Sequence, residues 1–258
     1  MLYPFVSNYL YERQQEEVIY GYGNAVDEME TEEISQEMEA ALQYNEELRD
    51  SRVVITDPFD PDAVRTETGL NYTELLNISG DGLMGYIEIP AISVFLPIYH
   101  GTSEQVLKDG VGHLGNTSLP VGGDGSHAVL SAHSGLSDKK LFTDLELLEL
   151  DDLFYIHVLD QTLAYKIDQI QVVTPDDTES LHIISGEDHI TLVTCTPYGI
   201  NSHRLLVRGT RTDYIPEEKA EQTVTDKNSP WMRQYMQAVL AGTLLLTLIF
   251  IAAILLGR

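Results

Sequence analysis

The chain holds 258 residues, 43% of them hydrophobic, enough for one sizeable globular domain with appendages. Its 41 acidic residues against 15 basic ones leave a formal charge of −26, which repels phosphate backbones and excludes nucleic acid as a partner. The single cysteine, Cys195, excludes an internal disulfide and fits a surface protein that keeps one working thiol.

Residues 1–6 are a short apolar run without the basic flank of a secretory signal. Residues 12–50 are strongly acidic and helical in pattern. Ile34, Met38, Ala41, Leu42 and Leu48 recur at helical spacing and predict one apolar stripe. That stripe suits a helix docked on the domain or on the membrane side, and equally a solvated acidic helix with one core-facing side. Asp57, Pro58, Phe59, Asp60 and Pro61 come next. Two X-Pro steps hold this stretch extended or turned. Taken alone, it reads as a turn whose Phe59 ring tucks into the nearest core.

From Met84 onward the chain is β-rich. Residues 85–90 and 93–98 predict two strands joined by a short turn. Residues 103–108 predict a short helix opened by Ser103. Residues 110–114 and the Gly-rich 121–125 read as loops or strand edges; the latter lacks the Gly-Lys-Ser/Thr of a phosphate loop. Residues 128–132 predict a strand with His133 at its end, ahead of Ser134 and Gly135. By residue type alone, one of eight histidines at a strand end is more often a satisfied surface or core group than a catalyst. Residues 141–150 predict a short helix, and 153–159 and 162–173 two further strands. Many short strands with turns between them predict a closed β-barrel or a sandwich.

Residues 190–194 are rich in β-branched side chains and predict another strand. Pro197 and Gly199 stop it, and 205–207 resume extended structure. Cys195 therefore ends one strand and Arg204 starts the next. Neighbouring strands lie about 5 Å apart, so the long Arg204 side chain reaches the thiol region. Cys195 has two readings. It is a buried, inert core thiol, or a nucleophile presented to a cleft beside a cation that favours the thiolate. Residues 216–229 form a polar, charged linker. Trp231 and Tyr235 suit an interfacial belt, and 238–256 are an uncharged apolar run of about 19 residues, long enough to span a bilayer. Arg258 beyond it places the C-terminus on the cytoplasmic side and the globular domain outside.

Thr191, Leu192, Val193, Thr194 and Cys195, with Arg204 nine positions on, match the TLxTC…R signature of sortases. The longer string at 191–209 resembles class C sortases, the pilus-assembling branch, almost residue for residue. The run at 131–136, followed by 141–145, resembles the family's catalytic-His region, where Arg often stands in place of Ser134. Asp57, Pro58 and Phe59 resemble the Asp-Pro-aromatic lid motif of class C. The resemblance covers roughly 87–211 and implies a mostly β fold, the eight-stranded sortase-type barrel with short helices.

It also implies roles. Cys195 would attack an LPxTG-like sorting signal between Thr and Gly and form a thioester. His133 would pair with the thiolate and act as general acid, and Arg204 would hold the substrate carbonyl. Asp57 would reach Arg204, and Phe59 would cover Cys195 as a lid. The acyl group would pass to a pilin lysine, polymerising pili through isopeptide bonds at a Gram-positive cell surface, with no metal or organic cofactor. The partners implied are pilin subunits bearing the sorting signal and acceptor lysine, and the membrane. The expected plan is a helical region at 1–50, lid and connector at 51–80, and catalytic barrel at 81–215. A linker at 216–236 and a transmembrane helix with tail at 237–258 complete it. Residues 1–6 resemble the segment that follows an N-terminal membrane helix in the family, which would set a second span ahead of Met1.

Other functions stay open at this point. A housekeeping sortase would anchor proteins to peptidoglycan, and a thiol protease would give the acyl group to water. A structural pilin also ends in a membrane span. It needs a sorting motif just ahead of that span, and 228–233 contain none. A metal-binding module is disfavoured, because the histidines are scattered and the lone cysteine has no partner at zinc-site spacing.

Overall fold

The computed structural model describes residues 3–51, 53–60, 71–136, 138–216, 240–243 and 247. Two helices lead, α1 (Tyr3–Asp27) and α2 (Thr31–Arg49). Eight strands follow among the described residues. They are β1 (Leu83–Ile89), β2 (Val94–His100), β3 (Val111–His113), β4 (Ser126–Ser131), β5 (Leu153–Val158), β6 (Gln161–Val173), β7 (Asp188–Thr196) and β8 (His203–Thr212). A short helix, α3 (Glu104–Asp109), links β2 to β3; the Ser103 hydroxyl caps it by accepting the Val106 N–H.

The strands close into a barrel in the order β1-β2-β3-β4-β7-β8-β6-β5, sealed by antiparallel pairing of β1 with β5. The mostly β, eight-stranded barrel expected from the sequence is thus observed. β2–β3 and β4–β7 pair in parallel. Ile87, Ile98, Leu130, Ile156, Leu192 and Val207 fill the interior and are fully buried. Phe154 and Tyr165 stack at 5.5 Å across neighbouring strands. Gly209 on β8 makes room for them, since a Cβ there would stand 2.5 Å from the Phe154 ring.

The helices brace the barrel from outside. α1 docks through Tyr11, Gln15, Ile19, Tyr22 and Val26, all buried. The Tyr22 hydroxyl donates to the Met84 carbonyl at 3.1 Å and accepts the Leu159 N–H at 2.8 Å. α2 docks through Ala41, Tyr44, Asn45 and Leu48. The Asn45 side chain accepts the Leu119 N–H at 2.6 Å and donates to the Leu119 carbonyl at 3.1 Å.

Three expectations need correction. The helical region is two helices, starts at Tyr3 and breaks between Asp27 and Thr31. Leu42 is not part of the docked stripe: it is 41% exposed, while the amide of Asn45 takes the buried place because it satisfies the loop backbone at 119. Residues 141–150 do not form a helix; they hold one 3-10 turn at Leu145–Leu147. Leu141, Phe142, Leu145 and Leu148 are all buried in the main core, which an irregular stretch achieves here without one helical face. Among the described residues no helix is long and apolar enough to cross a membrane. Most of the expected linker and span lies outside the described residues.

Two buried histidines contribute to the acid response of the fold. His113 Nε2 faces the Ser118 carbonyl at 2.7 Å and its Nδ1 faces the Tyr72 hydroxyl at 2.8 Å. His127 Nδ1 faces the His182 carbonyl at 3.0 Å and its Nε2 the Thr191 hydroxyl at 2.7 Å. Each ring thus has one acceptor and one hydroxyl, which satisfies a neutral imidazole. Burial pushes both down to about 4. The unfolded chain takes up these protons near pH 6.5, so stability is full above that value and is lost as pH falls from there towards 4. Denaturant melts at pH 7 and pH 5 are expected to differ by on the order of 1–2 kcal/mol per histidine, lower at pH 5. Equal stability at the two values would contradict this account.

Candidate active site

Cys195 lies near the end of β7, and antiparallel pairing sets it directly opposite Arg204 on β8. The β-branched run ahead of it holds the strand straight, and the connection turns where Ile200 N–H and Asn201 N–H both donate to the Pro197 carbonyl at 3.0 Å. On the other flank, β4 runs parallel to β7 as far as the Ser131–Val193 pair. The two chains stay joined beyond it. Ala132 N–H donates to the Val193 carbonyl at 3.2 Å, and the Thr194 hydroxyl donates to the Ala132 carbonyl at 2.8 Å. His133 follows at once, so thiol, imidazole and guanidinium come from three adjacent strand ends.

The segment at 53–60 crosses this site. Arg204 Nε donates to Asp57 Oδ1 at 2.9 Å and Nη2 donates to Oδ2 at 2.6 Å, a two-pronged pair of the kind that fixes geometry as well as energy. Both side chains are about nine-tenths buried, with 11% and 10% exposure. Arg204 Nη1 is held by the Asn201 and His203 carbonyls. Asp57 Oδ1 also accepts the Phe59 N–H at 3.3 Å, which turns the chain tightly around Pro58, itself buried. The Phe59 ring lies 5.6 Å from the His133 ring, and the Arg204 guanidinium carbon stands 5.2 Å from its centre. Phe59 and Ile55 pack on Leu114, Val129, Leu181, Val193 and Leu206, an apolar patch on the outer side of the barrel. The expected cover over Cys195 therefore rests on the groups beside the thiol, His133 and Arg204.

This arrangement sets the charges. Burial pushes the Cys195 thiol above its ordinary value; Arg204 pulls it down and Asp57 pushes it up. Burial pushes the His133 imidazole below its ordinary value; Lys108 adds to that push, and Glu104 opposes it. With the segment in place, burial thus disfavours the charged form of both groups. Glu104 and Lys108 pair at 2.6 Å on α3 and were not singled out by sequence, where an i,i+4 pair reads as an ordinary helix face. Among the described residues no group of three or more His, Cys, Asp or Glu is arranged to hold a metal ion.

A profile described as the Sortase domain matches residues 87–212. Sortase A of Bacillus anthracis is 32% identical over 138 residues, which cover 53% of this chain and 64% of that protein. The chain thus spans less than two thirds of the length of the first curated relatives it matches. Among solved structures, sortase C of Streptococcus pneumoniae is 44% identical, covering 77% of this chain and 97% of that one at a TM-score of 0.69. Sortase C-1 of Actinomyces oris is 46% identical, covering 70% of this chain and 99% of that one at a TM-score of 0.64.

Proposed function

This chain belongs to the sortase family, in its class C branch, and on that footing we propose that it is a cysteine transpeptidase that links pilin subunits. The observation that carries the reading is the meeting of Cys195, Arg204 and His133 at three adjacent strand ends under one small cover. A thiol, an imidazole and a fixed guanidinium are what acyl transfer needs: a nucleophile, a proton carrier and a charge for the oxyanion.

The Cys195 proton passes to His133, and the thiolate attacks the carbonyl carbon of the Thr in an LPxTG-like signal. Arg204, once released by Asp57, holds the oxyanion. The carbon–nitrogen bond to Gly breaks, and His133 gives its proton to the departing amine. A lysine amine of the next pilin then attacks the thioester. The thiolate leaves, and the lysine's proton returns to the Cys195–His133 pair. Sortase C of Streptococcus pneumoniae is a protein with pilin substrates, which supports this choice of donor and acceptor. We read Asp57, Pro58 and Phe59 as the lid over this site. We read residues 81–215 as the catalytic barrel, and 237–258 as a membrane span that would hold it outside the cell.

Incubation of the full chain, carrying Asp57→Ala, with an LPxTG-type peptide tests the first half-reaction. The expected product is Cys195 bearing the peptide up to Thr, with the Gly fragment released. Absence of that adduct, in a protein whose Cys195 still reacts with iodoacetamide, would overturn the proposal.

A further inference from the structure

The bonds that join β4 to β7 do not stop at His133. The Ser134 hydroxyl donates to the backbone carbonyl of Cys195 at 2.7 Å. His133 is therefore flanked by two residues tied to β7. Ala132 is held through Val193 and Thr194, and Ser134 is held through Cys195 itself. The turn beyond is braced as well. The His133 carbonyl accepts the Phe142 N–H at 3.1 Å, and Gly135 N–H donates to the Thr143 hydroxyl at 3.1 Å. Gly135 has φ +76°, and the Tyr198 ring lies against it, 3.2 Å from where a Cβ would stand. The loop after the histidine and the loop after the cysteine are thus clasped to each other.

We propose that Ser134 is a positioning residue, whose hydroxyl holds the imidazole and the thiol in register across the β4–β7 gap. This deepens the acyl-transfer reading and rests on it. A proton must move from Cys195 to His133 and on to the leaving amine, so the two side chains must keep a fixed separation. The side chain of Cys195 and the carbonyl that Ser134 holds spring from one residue, and the side chain of His133 springs from the residue next to Ser134. One hydrogen bond therefore ties together the backbone positions from which both side chains spring. Without it the strand pairing at Ser131–Val193 and the Thr194 bond remain, so the barrel keeps its fold while the two loops gain freedom. Substrate contact is not the role assigned here, so binding of the sorting peptide is unaffected while turnover falls.

The test compares full-length Asp57→Ala with the same chain carrying in addition Ser134→Ala, Ser134→Thr or His133→Ala. Three quantities are measured: thioester formation on an LPxTG-type peptide, the pH profile of Cys195 alkylation by iodoacetamide, and the melting temperature. Ser134→Ala is expected to lower kcat about 10- to 100-fold with KM unchanged, the scale of a misplaced catalytic pair. Its alkylation profile is expected to move towards that of His133→Ala, because the coupled titration of thiol and imidazole is weakened. Ser134→Thr keeps the hydroxyl and restores both readouts. Parental kcat and profile in Ser134→Ala would overturn the proposal. So would a loss that Thr does not restore and that follows the melting temperature. If no variant forms a thioester, the acyl-transfer reading falls, and the alkylation profiles still decide the coupling of Ser134.

Discussion

Replacing Cys195 by Ala in the full chain is expected to abolish thioester formation and every downstream ligation product, while the barrel stays folded. Three features of the site give this expectation its size. Cys195 is the only cysteine, so no neighbouring thiol substitutes for it. It lies at a strand end rather than in the interior, and is half-buried, so loss of its sulfur leaves the packing of Leu192 and Val193 intact. His133 and Arg204 remain, but in the proposed roles of proton carrier and carbonyl-holding cation they form no acyl intermediate. The expected fall in transfer is on the order of 10⁶-fold, the scale seen when a covalent nucleophile is removed. Mass spectrometry of the intact chain after incubation with sorting peptide reads it directly. A peptide adduct on Cys195→Ala would mean that another group is acylated, and the assignment of the nucleophile would fall. A mutant that unfolds would instead expose itself in the melting curve.

The second large effect belongs to Asp57. In the covered site its carboxylate occupies the Arg204 guanidinium with two bonds and raises the thiol, while Phe59 rests on His133 and Arg204. Asp57→Ala removes one group that pushes the thiol up and frees another that pulls it down. Both changes have the same sign. The pH at which Cys195 becomes reactive is expected to fall, and the alkylation rate at pH 7 to rise by about tenfold for each pH unit of that fall. Phe59→Ala leaves the Asp57–Arg204 pair in place. It is expected to uncover the site with a smaller change in the pH of half-maximal reaction. Rates of iodoacetamide labelling across pH 5 to 9, compared along the rising limb of each profile, separate the two variants. If Asp57→Ala labels at the parental rate, residues 57–59 are only a turn, and the gating role is lost.

The contrast between what could and could not be seen in the chain follows its physics. Cys195 and Arg204 were legible as neighbours because strand alternation, the Pro197–Gly199 stop and the resumed strand are local patterns. The register that makes them direct partners is their summed result. His133 was legible through its place after a strand, and the Asp57–Arg204 pair through motif likeness. Less was legible where a residue's fate depends on a distant backbone. Asn45 is buried and satisfies Leu119, far along the chain, while Leu42 stays exposed. Tyr11 and Tyr22 dock α1 with their rings buried and their hydroxyls bonded to the backbone at Asp109 of α3 and at Met84 of β1, yet among so many acids they do not read as an apolar stripe. The run at 141–150 buries Leu141, Phe142, Leu145 and Leu148 around a single 3-10 turn and leaves Leu150 exposed, a pattern that helical spacing alone misreads. The upward push on the thiol and the downward push on the imidazole were out of reach altogether, since both rest on burial, and the thiol's also on a carboxylate 147 positions from Arg204.

The measurement that tests the central claim most directly is time-resolved mass spectrometry of full-length Asp57→Ala with an LPxTG-type peptide and a lysine-bearing pilin domain. The account predicts a thioester on Cys195 that rises first and then decays as an isopeptide-linked product forms on a pilin lysine. An adduct that passes only to water or to a glycine amine would contradict it and make this chain a thiol protease or an anchoring enzyme.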